Sequence, residues 1–216
     1  IACGGHAGNE LTMANSLRNA GKHNLKIGAH PGYADKDNFG RLSLSLPFNQ
    51  LEKSLKQQIS SFQELALREN IQLHHIKFHG ALYNDSEADR QLAINLVKFC
   101  KLNYPSLSIL GLANGNMKDA CEQLQVNFIA EGFMDRAYLS SGKLTPRSKE
   151  GAILKEQQQV INQLLALAKE HPIATYDHQN IRIKVDSVCL HGDNPNAFNI
   201  AKSIYRSLKD SGINIE

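Results

Sequence analysis

Short apolar runs ending in Gly, His or Asn, each followed by a longer segment of helical periodicity, recur along the whole chain and leave few folds open to it. Residues 1–5 lead to a helix beginning near Asn9, a favoured N-cap type. Residues 25–29 lead through a Gly- and Asp-rich loop at 30–41 to a helix of about twenty residues opening near Pro47. In that helix Leu51, Leu55, Ile59, Phe62 and Leu65 fall at steps of three or four, one apolar stripe for packing on a sheet. The same alternation predicts strands at 71–79, 107–112, 126–131 and 186–191, with helices at 86–102, just after 112, at 153–169 and at 196–209. Residues 172–184 alternate around the polar turn YDHQN and are expected to form a small hairpin insertion.

Strands alternating with helices require a parallel sheet with crossover helices, either a doubly wound sheet or a β/α barrel. In both, function gathers at the carboxyl ends of the strands, and a barrel draws it from all of them toward one axis. Here nearly every strand ends in a chemically capable residue: His6, His30, Lys77 with His79, Asn114, Glu131, and His191 with Asp193. That placement favours the barrel. In QLHHIKFHG, His75, Lys77 and His79 share one face while His74, Ile76 and Phe78 take the other, because side chains alternate with period two. Small residues precede the strand-end histidines two positions back, Gly4 before His6 and Gly28 before His30, and leave room for a pocket.

At 216 residues one large domain spanning 1–216 is expected, on a prior of roughly 150 residues per domain. With 42% hydrophobic and 21% charged residues the composition is that of a globular protein, and no apolar run reaches the length of about 18 residues that a membrane helix needs. The net charge is +3 and Lys and Arg are scattered, which argues against nucleic acid as a partner. Cys3, Cys100, Cys121 and Cys189 lie far apart and read as reduced, buried thiols of a cytoplasmic protein. The chain opens inside a strand, so natural sequence upstream of Ile1 is expected.

The converging histidines admit two chemistries. Three or four His with a carboxylate would suit zinc or another divalent ion, and the same groups could instead form a metal-free polar pocket for a carboxylate or amide substrate. Lys77, inward among histidines, needs an anionic partner or a lowered pKa; a plain ion pair is its structural alternative. His23, His74, His171 and His178 fall on helix, outer-face or hairpin positions and read as structural. The stretch AYLSSGKL at 137–144 shares only Gly142 and Lys143 with a phosphate-binding loop, and no G-x-G-x-x-G occurs.

Five runs, IACGGHAGN at 1–9, IGAHPGYAD at 27–35 with FGR at 39–41, KFHGALYN at 77–84, EGFMDRAY at 131–138 and VCLHGDNP at 188–195, resemble the LamB/YcsF family over essentially the whole chain. Departures are few: the family usually has Phe where Gly5 stands, Asp at Asn9, Pro at Phe78 and Arg at Ala137. The resemblance implies a seven-stranded β/α barrel of the glycoside hydrolase/deacetylase type, with the first strand, an Asp-rich one, missing from this chain. It also implies a hydrolase that opens the lactam of 5-oxo-L-proline to L-glutamate with ATP as co-substrate, working with two further subunits of a 5-oxoprolinase. Under that resemblance His6, His30, Lys77, His79, Asp135, His191 and Asp193 are catalytic candidates, and Asn84, Glu131, Arg136 and Arg147 are substrate-binding candidates. His6, His30 and His79 are also the candidate ligands of a divalent metal. The alternatives are a metal-dependent deacetylase of an N-acetylated sugar and a non-catalytic lactam-binding subunit.

Overall fold

The structure, a computed structural model, describes residues 1–190, 192 and 197–215. His191 and Asp193 lie outside the described residues, as does the start of the last predicted helix. The chain divides into two compact units, one of residues 1–111 with 116–128 and the other of residues 112–115 with 129–216.

The first unit opens with residues expected to form a strand, but only a single parallel bridge forms there, between Ala2 and His30. Gly4 and Gly8 take φ of +85°, and the Gly4 amide donates to the Ala7 carbonyl at 2.9 Å, so the chain turns before a strand can propagate. Helix α1 (Glu10–Lys22) follows, capped by Asn9 and Thr12 in a reciprocal capping box. Strand β1 (Ile27–Ala29) pairs in parallel with β2 (Leu73–Ile76), and β2 with β3 (Ser108–Leu112). Between β1 and β2 runs α2 (Phe48–Arg68), with Pro47 at its N-cap and the anticipated stripe Leu51, Leu55, Ile59, Phe62 and Leu65 all buried. That stripe, with the equally buried Leu17, Ile76 and Ile109, supplies apolar core to this unit.

The helix predicted over 86–102 is interrupted: most of it is α4 (Arg90–Asn103), and its first residues end a separate helix, α3 (Gly80–Ala88), that starts before the predicted boundary. Asp89 breaks them, because its backbone is extended and its carboxylate accepts from the amides of Gln91 and Leu92, which starts a new helix. Helix α5 (Asn116–Leu124) completes the unit, and Cys3, Cys100 and Cys121 are buried free thiols in it.

The second unit carries β4 (Phe128–Phe133), whose residues Glu131, Gly132 and Phe133 pair in parallel with β7 (Ser187–Cys189). Helices α6 (Gln157–Ala168) and α7 (Ala197–Asp210) enclose a core of Met134, Val160, Leu164, Ile204 and Leu208. The expected hairpin is present as β5 (Ile173–Ala174) against β6 (Asn180–Ile181).

The α/β alternation is therefore as read, and the strand count is not. Five parallel strands stand among the described residues, where sequence periodicity suggested six, the number that a seven-stranded barrel with its first strand missing would also leave. The shortfall falls on residues 1–5, where Gly4 at positive φ, followed by Gly8 just beyond, replaces extended backbone.

Candidate functional site

Three of the predicted histidines meet in the first unit. His30 follows β1 directly, and His79 lies three residues past β2, where the ladder still continues: the Lys77 amide donates to the Ala29 carbonyl at 2.9 Å and that of His79 to the Pro31 carbonyl at 2.8 Å. His79 is also the residue before α3. His6 reaches the same place from the turn between Gly4 and Gly8 and is 3% exposed.

The His30 ring sits with Nδ1 2.7 Å from the Lys77 carbonyl oxygen and Nε2 3.0 Å from Nδ1 of His79. On the far side of the His79 ring, Nε2 lies 2.8 Å from the Phe39 carbonyl oxygen. His6 lies flat against His79, centroids 3.6 Å apart and planes at 8°. One nitrogen from each of the three rings falls within 4.8 Å of the others, and His6 Nδ1 is buried without a hydrogen-bond partner.

Burial, then the neighbouring His79, pushes the His6 pKa down to about 4. Burial, then the Lys77 ammonium and the other two rings, holds His30 well below the ordinary imidazole value. Both are neutral imidazoles at neutral pH, able to accept a proton or bind a metal. Lys77 is half-buried, and its charge is among the causes that hold the His30 pKa down.

Glycine backbone shapes the cluster. A Cβ on Gly40 would fall 2.8 Å from His6 Cβ and 3.2 Å from His79 Cδ2, and one on Gly32 would fall 3.1 Å from His79 Cβ. Gly40 also has φ of +62°, and its carbonyl receives the Ala81 amide at 2.9 Å, tying the 30–41 loop to the start of α3.

Several supporting residues escaped the sequence reading. Gln58 of α2, 7% exposed, takes the Gly32 amide on Oε1 at 3.2 Å and donates from Nε2 to the Gly32 carbonyl at 2.9 Å. A buried amide inside an otherwise apolar helical stripe was the signal available for it. Asp85 of α3 receives the Tyr33 hydroxyl at 2.9 Å and the Ser43 hydroxyl at 2.7 Å, and so pins both ends of the loop that carries the Phe39 carbonyl. Asp85 follows Asn84, a predicted substrate binder, which is exposed on α3.

The remaining predicted residues belong to the second unit. Glu131 is 2% exposed and lies on β4. Arg136 is buried and donates to the carbonyls of Ala152 at 3.3 Å and Thr145 at 2.7 Å, a hold on the 145–152 loop. Asp135 is half-buried beside it and Arg147 is exposed. The stretch at 137–144 is a turn closed by Leu139 and Lys143, with the Leu139 amide donating to the Lys143 carbonyl at 2.8 Å, which accounts for Gly142 at φ +81° without a phosphate. His178 stands at φ +59° and lines, with Ala137, Leu154, Gln163 and Tyr176, a pocket of about 460 Å³ in this unit.

The LamB/YcsF family model matches residues 1–216. The chain is 37% identical to the 5-oxoprolinase A subunit of Histophilus somni over 99% of this chain and 86% of that protein. It is 33% identical to the 5-oxoprolinase A subunit of Pyrococcus furiosus over 100% of this chain and 84% of that one. Among solved structures, the lactam utilization protein of Thermus thermophilus superposes with a TM-score of 0.93 at 29% identity, covering 100% of this chain and 86% of that one. A chain matched from end to end by the family model, and by relatives at these identities, belongs to the LamB/YcsF family.

Proposed function

We propose that this chain is the lactam-opening subunit of an ATP-dependent 5-oxoprolinase that converts 5-oxo-L-proline to L-glutamate in the cytoplasm, together with two further subunits. The observation that carries the reading is the meeting of neutral His6 and His30 with His79 and the Lys77 ammonium past the ends of β1 and β2. The names of the relatives, a 5-oxoprolinase A subunit and a lactam utilization protein, supply the substrate class.

A five-membered lactam is a resonance-stabilised amide, so its opening needs activation. Transfer of the ATP γ-phosphoryl group to the lactam oxygen creates the better electrophile. A first water then adds at the ring carbon, the carbon–nitrogen bond breaks, and the nitrogen takes a proton to become the glutamate amine. A second water releases phosphate from the resulting acyl phosphate, so one ATP and two waters give glutamate, ADP and phosphate.

Within this scheme His6, neutral and with no hydrogen-bond partner at Nδ1, serves activation of the attacking water, as a base or as the ligand of a divalent ion. Lys77 pairs with the substrate carboxylate. His30 and His79, side by side, orient the water. Asp135 in the second unit, with His191 and Asp193, keeps the acid–base role that the family resemblance implies. Arg147 keeps that of a carboxylate or phosphate partner, while Asn84, Glu131 and Arg136 keep that of substrate binders.

The deciding assay is glutamate formation from 5-oxo-L-proline with and without ATP and the partner subunits, beside a His79→Ala variant. Turnover that requires ATP and partners and collapses in the variant is the expected result. Turnover that survives His79→Ala would move the chemistry off this cluster and favour a lactam-binding role. Activity on an N-acetylated sugar without ATP would favour the deacetylase.

A further inference from the structure

Counting protons across the histidine pair exposes a gap. The Lys77 and Phe39 carbonyl oxygens can only accept, so His30 Nδ1 and His79 Nε2 must each carry a hydrogen. Two neutral rings have no more than that to give. His30 Nε2 and His79 Nδ1 are then both lone pairs, pointing at one another across 3.0 Å. Only a cation makes that approach favourable: a third proton, giving the pair one net positive charge, or a metal.

The metal alternative fits the distances. Bonds of about 2.1 Å from one ion to two nitrogens 3.0 Å apart subtend about 90°. Each ring already donates its outward N–H to a backbone carbonyl, the arrangement that orients histidine ligands and raises their basicity. His6 Nδ1, buried and unpartnered, is the third donor at hand. A four-coordinate ion draws its nitrogens to about 3.4 Å from one another. The present 4.8 Å spread is closed when the His6 ring tilts off the face of His79.

We propose that His30 Nε2, His79 Nδ1 and His6 form a binding site for a divalent transition metal of the zinc class, in which the two facing nitrogens turn their lone pairs onto one ion beside them. All-imidazole donors suit zinc, cobalt, nickel or iron rather than magnesium or calcium. Three protein nitrogens leave a coordination position open, which a water or a carbonyl oxygen of a substrate can take. The site stands independently of the lactam reading, because it rests on nitrogen geometry alone.

The experiment uses the purified chain, stripped with a chelator and titrated with Co²⁺ and, in parallel, with Zn²⁺. One equivalent of Co²⁺ should develop the intense visible bands of a four-coordinate ion, displaced by Zn²⁺. His30→Gln and His79→Gln should each weaken binding by about tenfold or more, while His178→Gln leaves it unchanged. Should a variant fail to fold, the wild-type chain still decides. Zn²⁺ should perturb the ring proton resonances of His6, His30 and His79 and leave those of His171 and His178 in place. Absence of four-coordinate Co²⁺ bands in the wild type, metal affinity unchanged in folded His30→Gln and His79→Gln, or perturbation confined to other histidines would each overturn the proposal. None of these readouts uses turnover, so failure of the metal site and failure of the lactam reading are told apart.

Discussion

The imidazole of His6 lies flat on that of His79, with centroids 3.6 Å apart and planes 8° from parallel. The stack is an apolar contact between two polar side chains, and it sets their orientation separately from their hydrogen bonding. Its two contributions can therefore be separated. His79→Phe keeps a ring of similar size against His6 and removes both nitrogens. The expected outcome is a chain whose thermal unfolding midpoint moves by only a few degrees, since the lost bond to the Phe39 carbonyl is worth about 1 kcal/mol. Turnover with 5-oxo-L-proline should fall by at least about a hundredfold, as for loss of a general acid or base. Calorimetry beside the glutamate assay checks both, and a Phe variant with near-normal turnover would show that the ring matters only as packing.

The pH dependence of stability should carry the imprint of the same strand. His75 sits against the bare backbone of Gly28, and burial, then the adjoining His74, pushes its pKa down to about 4. An unfolded imidazole titrates near 6.5, so between pH 6.5 and 4 the unfolded chain binds a proton that the folded chain refuses. Stability must fall as pH drops through that window, and level off below it as far as this group is concerned. At about 1.4 kcal/mol per pKa unit the contribution is roughly 3 to 4 kcal/mol. Urea unfolding across the window should show a shallower loss for His75→Gln than for the wild type, with His6 and His30 supplying the remainder.

Much of this was legible in sequence. Period-two alternation through QLHHIKFHG buries Ile76 and Phe78 and leaves His75, Lys77 and His79 half-buried, though of these three only His79 joins the group with His6 and His30. The α2 stripe and the Asn9 cap follow from spacing and residue type alone. Convergence of His6, His30 and His79 was legible because all three end apolar runs. What stayed hidden was set by tertiary contact. Whether residues 1–5 pair as a strand depends on the φ of Gly4 and Gly8, which no periodicity reports. The Phe39 carbonyl is a backbone acceptor that any residue could have supplied, so no side-chain pattern marks it. The Asp89 break fell inside a continuous helical period and was masked by it.

Gly5 and Gln58 should behave as one unit. A Cβ on Gly5 would fall 2.3 Å from Gln58 Oε1, so the carboxamide occupies the volume that a side chain at position 5 would need. Gly5→Phe alone should destabilise by several kcal/mol, through overpacking and through displacement of the two Gln58 bonds to Gly32. Gln58→Ala alone should cost about 2 kcal/mol. The double variant should be more stable than the sum of the two losses by about 1 to 3 kcal/mol, the coupling expected of residues in contact. A double-mutant cycle by urea denaturation measures it, and strict additivity would mean that Gln58 swings clear of an incoming side chain.

Gly40 makes the sharpest test of how the backbone shapes the histidine cluster, because a methyl group there has two separable effects. The first is conformational: φ of +62° is left-handed, and an L-residue pays about 1 to 2 kcal/mol to adopt it. The second is steric, since the new carbon would stand 2.8 Å from His6 Cβ and 3.2 Å from His79 Cδ2 and force the two rings to move. Gly212 supplies the control, with φ of +72° and no atom within 4 Å of an added Cβ, so Gly212→Ala carries the strain without the push. Gly40→Ala should therefore lose more stability than Gly212→Ala and, unlike it, lose turnover and metal affinity together. Equal stability losses in the two variants, with function retained in both, would mean that the cluster tolerates displacement. The close fit of Gly40 against His6 would then serve folding rather than the chemistry of the three histidines.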